Sequence, residues 1–543
     1  MEEQQKTAEQ LLCEDVQRDF DNRQRQRISI ERRWELNMNF VQGNQYCRIT
    51  DGGELTVTER AYTWEQRRVF NHIAPVIDTR LSKLSRIRPA LAVRAASDDE
   101  SDKRAAELAS SILSAVQDEA DIDGVISSAT MWSEICGTSF YKTVWNSYGG
   151  KKLGATESGE NVNEGGVEIA AISPFEIYPF SLTEESLEKQ PSIIHAKLLP
   201  VAEIFTMYGV RLAGKDISEF SAPHWGKKRN TGVNFELVLE RYEHPAADIP
   251  EGRLTVVAGE KLIYDGALPY VNGENSARGY PFVKQVSVPV AGSFFGASVV
   301  ERLIPVQRAY NAVKNRKHEY LNRISMGMVA VEDGSVDLDE LADDGLAPGK
   351  VIVYRQGGTP PEMLTLGSVP DEFWKEEASL LAEFTKISGT GDLSENADSF
   401  AGVTSATGLQ LIIEQDDARL NVAYQSIKRA VKCIGRQILR LYRQYATDMR
   451  LLRLAQTDGR VKIYCFKGSD ISGDDVILEA DTDLNLSPAQ RRTVIYELMD
   501  RGLFSGADGN MTQAAKKKIL ELLGYASLSD AIPAEEVNTD NGN

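Results

Sequence analysis

Apolar positions along the chain fall into long seams with helical spacing. Val299, Leu303, Val306, Tyr310, Val313, Tyr320 and Ile324 advance by fours and threes, and only Lys317 interrupts the series. That spacing puts the apolar side chains on one stripe of a helix that packs lengthwise against other helices. Leu420, Tyr424, Ile427, Val431, Ile434, Ile438, Leu441 and Tyr445 repeat the pattern within a longer helix expected over 404–447. A third stripe, containing Phe373, Leu380, Phe384 and Ile387, follows Pro370 and stops at Gly389, a residue that readily turns left-handed after a helix. Between the first and third stripes, β-branched runs at 329–331 and 351–354 surround an acidic stretch, with no Lys or Arg between Arg323 and Lys350. The pattern predicts two helices of similar reach bracketing a small, β-rich, acidic knob.

Elsewhere the periods alternate between helix and strand. Helices are expected over 6–42, 63–85, 97–119 and on to 135, and again over 487–500 and 512–523. Strands are expected over 90–94, 137–145, 167–172, 234–243, 461–466 and 476–480, with 253–257 and 261–264 forming a hairpin. Residues 149–166 read as a Gly/Lys/Glu-rich loop. The fold class is α+β, and the Gln/Arg/Glu-rich first helix must lie on another part of the chain to be stable.

With 543 residues and 42% hydrophobic content the chain can bury several cores. Its longest run without a charge, Gln285 to Val300, contains Gln, Ser, Pro and Gly and is shorter than the ~20 apolar residues of a membrane-spanning helix. The acidic start at Glu2 and Glu3 lacks the basic region of a secretory signal, so a cytoplasmic site of synthesis is expected. Five scattered cysteines with no CxxC pair fit reduced thiols. A net charge of −19 opposes general adhesion to nucleic acid, whose unselective binding rests on neutralising phosphates.

Catalytic signatures are missing. The chain has no GxxxxGK[ST], HExxH or GxSxG, and its five histidines are isolated from nucleophiles in sequence. Asp337-Leu338-Asp339 and Asp481-Thr482-Asp483 start like calcium loops but lack the glycine and the bidentate acid that such loops need. No enzyme, cofactor or metal site is expected. The charged features that remain are positional. Lys428, Lys432, Arg436 and Arg440 lie four apart on one face of the long helix, which has no acid from Ala418 to Thr447. They read as a solvated face, as partners for acidic neighbouring chains, or as phosphate contacts. The earlier helix carries Arg308, Lys314, Arg316, Lys317 and Arg323 against Glu319.

In order along the chain, Phe40-Val41-Gln42-Gly43-Asn44-Gln45, Val69 to Asp78, Arg88-Pro89, Asp98 to Ala109, Gly137 to Lys142, Ile172 to Pro179, Phe295-Gly296-Ala297-Ser298 and Asn485 to Arg492 resemble the portal proteins of tailed bacteriophages. The resemblance implies an N-terminal helix (1–48), an α+β wing (49–293), two stem helices (294–325 and 371–388) around a clip (326–370), a tunnel loop (389–403), a long wing helix (404–447), strands returning to the wing (448–483), and crown helices with an acidic tail (484–543). It further implies a homo-oligomeric ring, usually of twelve subunits, in the virion at one capsid vertex, assembled in the host bacterial cytoplasm. Such a ring passes double-stranded DNA and meets the terminase large subunit, head-tail adaptor and tail proteins, and the major capsid and scaffold proteins. The packaging ATPase is the separate terminase, in keeping with the missing P-loop.

On that resemblance, Lys314, Lys317, Arg323, Asp392, Glu395 and Asp398 are candidates for the DNA channel. Asp337, Asp339, Glu340, Asp343 and Asp344 are candidates for docking terminase or adaptor at the clip. Val306, Tyr310, Val313, Lys428, Lys432, Arg436 and Arg440 are candidates for contacts between subunits. Pairing between chains in the clip, through 329–331 and 351–354, is expected to cover strand edges that a lone subunit would leave open. A different head-tail adaptor or scaffold ring without DNA contact is the alternative.

Overall fold

A computed structural model of the chain describes residues 7–60, 66–85, 91–95, 97–155, 161–214, 234–271, 277–326, 328–334, 336, 352–364, 369–389, 406–455, 461–471, 473–478, 496, 499, 516 and 519. Helices and sheets are mixed, consistent with an α+β fold. The body holds a five-stranded antiparallel sheet built from Ile177–Pro179, Ser192–Pro200, Phe235–Glu243, Arg253–Ala258 and Lys261–Gly266. Beside it stands a three-stranded sheet of Phe282–Val286, Thr138–Asn146 and Gly166–Ile172. One buried carboxylate joins the two: Glu240 accepts from Lys142 of the smaller sheet (2.5 Å) and from Lys197, His195 and Tyr242 of the larger (3.1, 3.0 and 2.9 Å). Among the described residues no helix is long and apolar enough to cross a membrane.

The N-terminal helix Ala8–Val41 is polar along most of its length, yet it is fixed to the body by buried arginines. Arg27 donates to the carbonyls of Pro174, Phe175 and Ile177, and its guanidinium lies 3.6 Å from the centre of the Tyr178 ring. Arg23 donates to the Tyr178 carbonyl and the Ser192 hydroxyl. Those carbonyls belong to a short 3-10 turn and an edge strand, so guanidinium groups satisfy buried acceptors that no ladder reaches.

The long helix Ala406–Tyr445 is the spine of the largest core. Leu420, Tyr424, Ile427, Val431, Ile434 and Ile438 are buried with Leu108, Ile112, Leu113 and Tyr141, so the seam seen in the sequence is covered by the chain's own body. The helix crosses the pairing of Leu91–Val93 with Val476–Leu478 at Gly435, where a Cβ would stand 3.2 Å from both Leu91 and Val476. Glycine costs helix stability, and here its missing Cβ lets the helix pass close over the strand pair.

Two local expectations are corrected. The helix expected over 63–85 is Ile73–Leu84, and 66–72 runs extended against another helix. The loop expected over 149–166 contains a hairpin, Lys152–Ala155 with Asn161–Asn163. Within the chain Met328–Ala330 pairs with Glu362–Leu364, and 352–354 has no regular structure in the single subunit. Arg450–Ala455, whose alternation is weak, forms a strand paired with Val461–Phe466. The helices expected over 487–500 and 512–523 lie outside the described residues except at 496, 499, 516 and 519, which are helical.

Candidate functional site

The helical hairpin foreseen in the sequence is present: a central helix, Val299–Met326, and a return helix, Asp371–Ser388, packed antiparallel. Val299, Leu303, Val306 and Tyr310 are buried with Leu380 and Phe384, and Gly389 closes the return helix at φ +69°. Val306 and Tyr310 thus lie within the subunit's own core, and Val313 is partly buried beside them.

Lys317, which interrupts the apolar seam, faces the return helix. Its amine pairs with Glu377 at 2.8 Å and lies 3.0 Å from the centre of the Trp374 ring. Lys314 pairs with the other oxygen of Glu377. Burial acts to raise the Glu377 pKa, but bonds to both lysines hold it below the ordinary carboxylate value. The two lysines therefore cross-link the hairpin, with Lys317 buried and Lys314 half-buried. Arg323 lies on the same helix, its side chain outside the description.

A second face of the central helix carries an amide ladder. The backbone N–H groups of Gln66, Arg68, Phe70 and His72 donate to the side-chain oxygens of Glu319, Asn315, Asn311 and Gln307, each at 3.0 Å. Gln307 and Asn315 donate back to the carbonyls of Phe70 and Arg68 at 2.7 and 2.9 Å. Two extended residues advance about 6.6 Å and four helical residues about 6 Å, so alternate backbone groups meet side chains one turn apart. This is why 66–72 is not helical: its donors are already satisfied by the neighbouring helix.

Both helices root at one buried node on helix Ile122–Cys136. Glu134, fully buried, pairs with Arg80 at 2.5 Å and accepts from the Ser287 hydroxyl at 2.7 Å. Arg80 also donates to the carbonyl of Ser388, the last residue of the return helix, at 2.7 Å. Ser298, which accepts from the Val300 N–H at the start of the central helix, donates to the Glu134 carbonyl at 2.5 Å. Residue 134 thus ties down both points: its backbone carbonyl holds the start of the hairpin, and its carboxylate, through Arg80, holds the end.

The far end of the hairpin carries the two-stranded pairing of Met328–Ala330 and Glu362–Leu364. Val353 and Tyr354 stand exposed beyond it. Asp337, Asp339, Glu340, Asp343 and Asp344 lie outside the described residues, as do Asp392, Glu395 and Asp398. On the long helix, Lys428, Lys432, Arg436 and Arg440 are half-buried. Lys428 sits 4.3 Å from the Tyr424 ring centre, and Arg440 pairs with Asp474 at 2.6 Å. Burial opposes the charge on Asp474, but Arg440, helped by Arg443 and Arg436, holds its carboxyl below the usual range. Among the described residues no group of three or more His, Cys, Asp or Glu could hold a metal ion.

The polar residues that organise this region were not singled out from sequence: Gln307, Asn311 and Asn315 with their four-residue spacing, Glu377 facing two lysines, and the Arg80–Glu134 pair. The first set had a readable signal, since amides repeated one turn apart inside a helix need a partner. The last had none, because its members are 54 residues apart.

No curated protein matches the chain. Residues 246–463, from the edge of the five-stranded sheet through both hairpin helices and the long helix, match the family model described as Phage SU10 portal protein, and this match supports a tailed-phage portal protein.

Proposed function

We propose that the chain is the portal subunit of a tailed phage: copies assemble into a ring, of twelve by analogy, at one capsid vertex. Through that ring double-stranded DNA is packaged and later ejected, and on it the terminase and the tail or adaptor proteins dock. The observation that carries the proposal is the family match over 246–463, because that span contains the helical hairpin and the long helix together. The matched family is structural rather than enzymatic. In this reading 294–325 and 371–388 form the stem, 326–370 the clip, 389–403 the tunnel loop, 404–447 the long wing helix and 484–543 the crown.

The charge balance supports a conduit. Phosphate contacts slow a duplex in proportion to the counterions they release, so a channel that must pass DNA gains from few cations. The chain's net charge is −19, and Glu377 engages Lys314 and Lys317 of the central helix, leaving two fewer cations to hold a duplex. The acids at 392, 395 and 398 would then act as a repulsive collar. Electron microscopy of the purified protein tests the reading: closed rings with an axial channel wide enough for a B-form duplex are expected, and a monomer under all assembly conditions, scaffold included, overturns it.

A further inference from the structure

The central helix has three faces, and its own chain covers two. Leu303, Val306, Tyr310 and Lys317 face the return helix, and Gln307, Asn311, Asn315 and Glu319 hold 66–72. The third face, Arg302, Pro305, Ala309, Ala312 and Arg316, advances by threes and fours and is exposed. The acids that flank it are turned aside, Glu301 to Asn37 and Glu319 to the backbone of Gln66. The return helix also has an open stripe, which runs beside its buried Leu380, Phe384 and Ser388. Glu372, Glu376, Ser379 and Glu383 advance along it by fours and threes, are exposed, and include no Lys or Arg.

The two open faces therefore have opposite sign. They also nearly match in level: Lys317 meets Glu377, Tyr320 lies by Phe373 and Tyr310 by Phe384, which places Arg316 within about 3 Å of Glu376 along the helix axis, inside the reach of the two side chains. Small residues sit within each, Ala309 and Ala312 on one and Ser379 on the other, and allow the helix axes to approach closely.

We propose that the open face of the central helix docks onto the open face of the return helix in a second copy of this chain, with Arg316 meeting Glu376. The contact joins two different faces, so it is head-to-tail and propagates around a ring. Identical hairpins standing parallel to a ring axis meet their neighbours at equal height, which is the register the intrachain contacts set. A DNA occupant would suit the basic face and leave the acidic one unexplained, whereas a second copy accounts for both. The proposal rests on the portal reading and names the surface by which its subunits recognise one another.

Charge reversal tests it. Arg316→Glu and Glu376→Arg should each lower the yield of rings roughly tenfold at low salt, scored by sedimentation and electron microscopy, and the double swap should restore it. Circular dichroism of the single variants should stay that of the parent chain, since both side chains are exposed. Two single variants that form rings normally overturn the proposal, as does a swap that fails to recover them. Intact rings of Arg316→Glu with altered DNA retention would assign the face to the duplex instead and likewise overturn it. A parent chain that never forms rings fails at the earlier step, the portal reading, and removes this inference with it.

Discussion

Glu240 shows how a constellation resembling an active site serves as a structural joint. Burial alone would raise its pKa, but Lys142, Lys197 and His195 hold it well below the ordinary carboxylate range. A carboxylate whose folded pKa is depressed contributes stability that is full above its unfolded value, about 4.3, and is lost as pH falls through the lower folded value. Glu240→Gln leaves two lysines between the sheets without their anion and should cost about 3–5 kcal/mol at neutral pH. The difference in thermal midpoint between parent and variant should narrow as the pH drops below about 4. Melting curves at pH 7 and below pH 4 check this; a gap independent of pH would mean that Glu240 is not the charged member of the cluster.

At the scale of the element, the central helix is defined by what lies on each of its faces. Asn311 and Asn315 are poor interior helix residues, by roughly 0.7 kcal/mol each relative to alanine, and the ladder offsets that preference. Replacing Asn311 with Ala improves the local propensity but strands the Phe70 N–H and removes a 2.6 Å bond to Gln45. The expected net loss is about 2 kcal/mol, with faster hydrogen exchange confined to 66–72. Exchange that rises along the whole helix would instead show that Asn311 stabilises the hairpin itself. The helix and its seam were legible in sequence because apolar period is a local property that tertiary context rarely reverses. The helix expected over 63–85 was not, since 66–72 lacks a helix breaker and what holds it extended sits on a helix more than 230 residues away. The same reason hid Glu377: its position on an amphipathic face is readable, but the antiparallel register that aims it at Lys314 and Lys317 is set by packing.

The molecule as a whole is a body with a hairpin inserted between its strands. The three-stranded sheet closes with Phe282–Val286 just before the hairpin, and the long helix that completes the main core follows it. Arg80 and Glu134 clamp the two ends of the insertion at one point. None of the described residues between Met326 and Asp371 is buried in a core, and Met328 pairs directly with Leu364 at the base of that stretch. Paired strands stand about 5 Å apart, so excising 329–365 leaves ends that a short turn can join without moving either helix. The deletion should fold, with the Tyr310–Phe384 packing and the Glu377 cross-link retained, and its thermal midpoint should stay within a few degrees of the parent's. In the portal reading it should still form rings through the hairpin faces yet fail to bind the terminase large subunit, measured by co-sedimentation of the assembled rings. Rings that bind terminase normally would remove the docking role from 326–370, and a chain that folds but forms no rings would move subunit recognition from the hairpin to the knob.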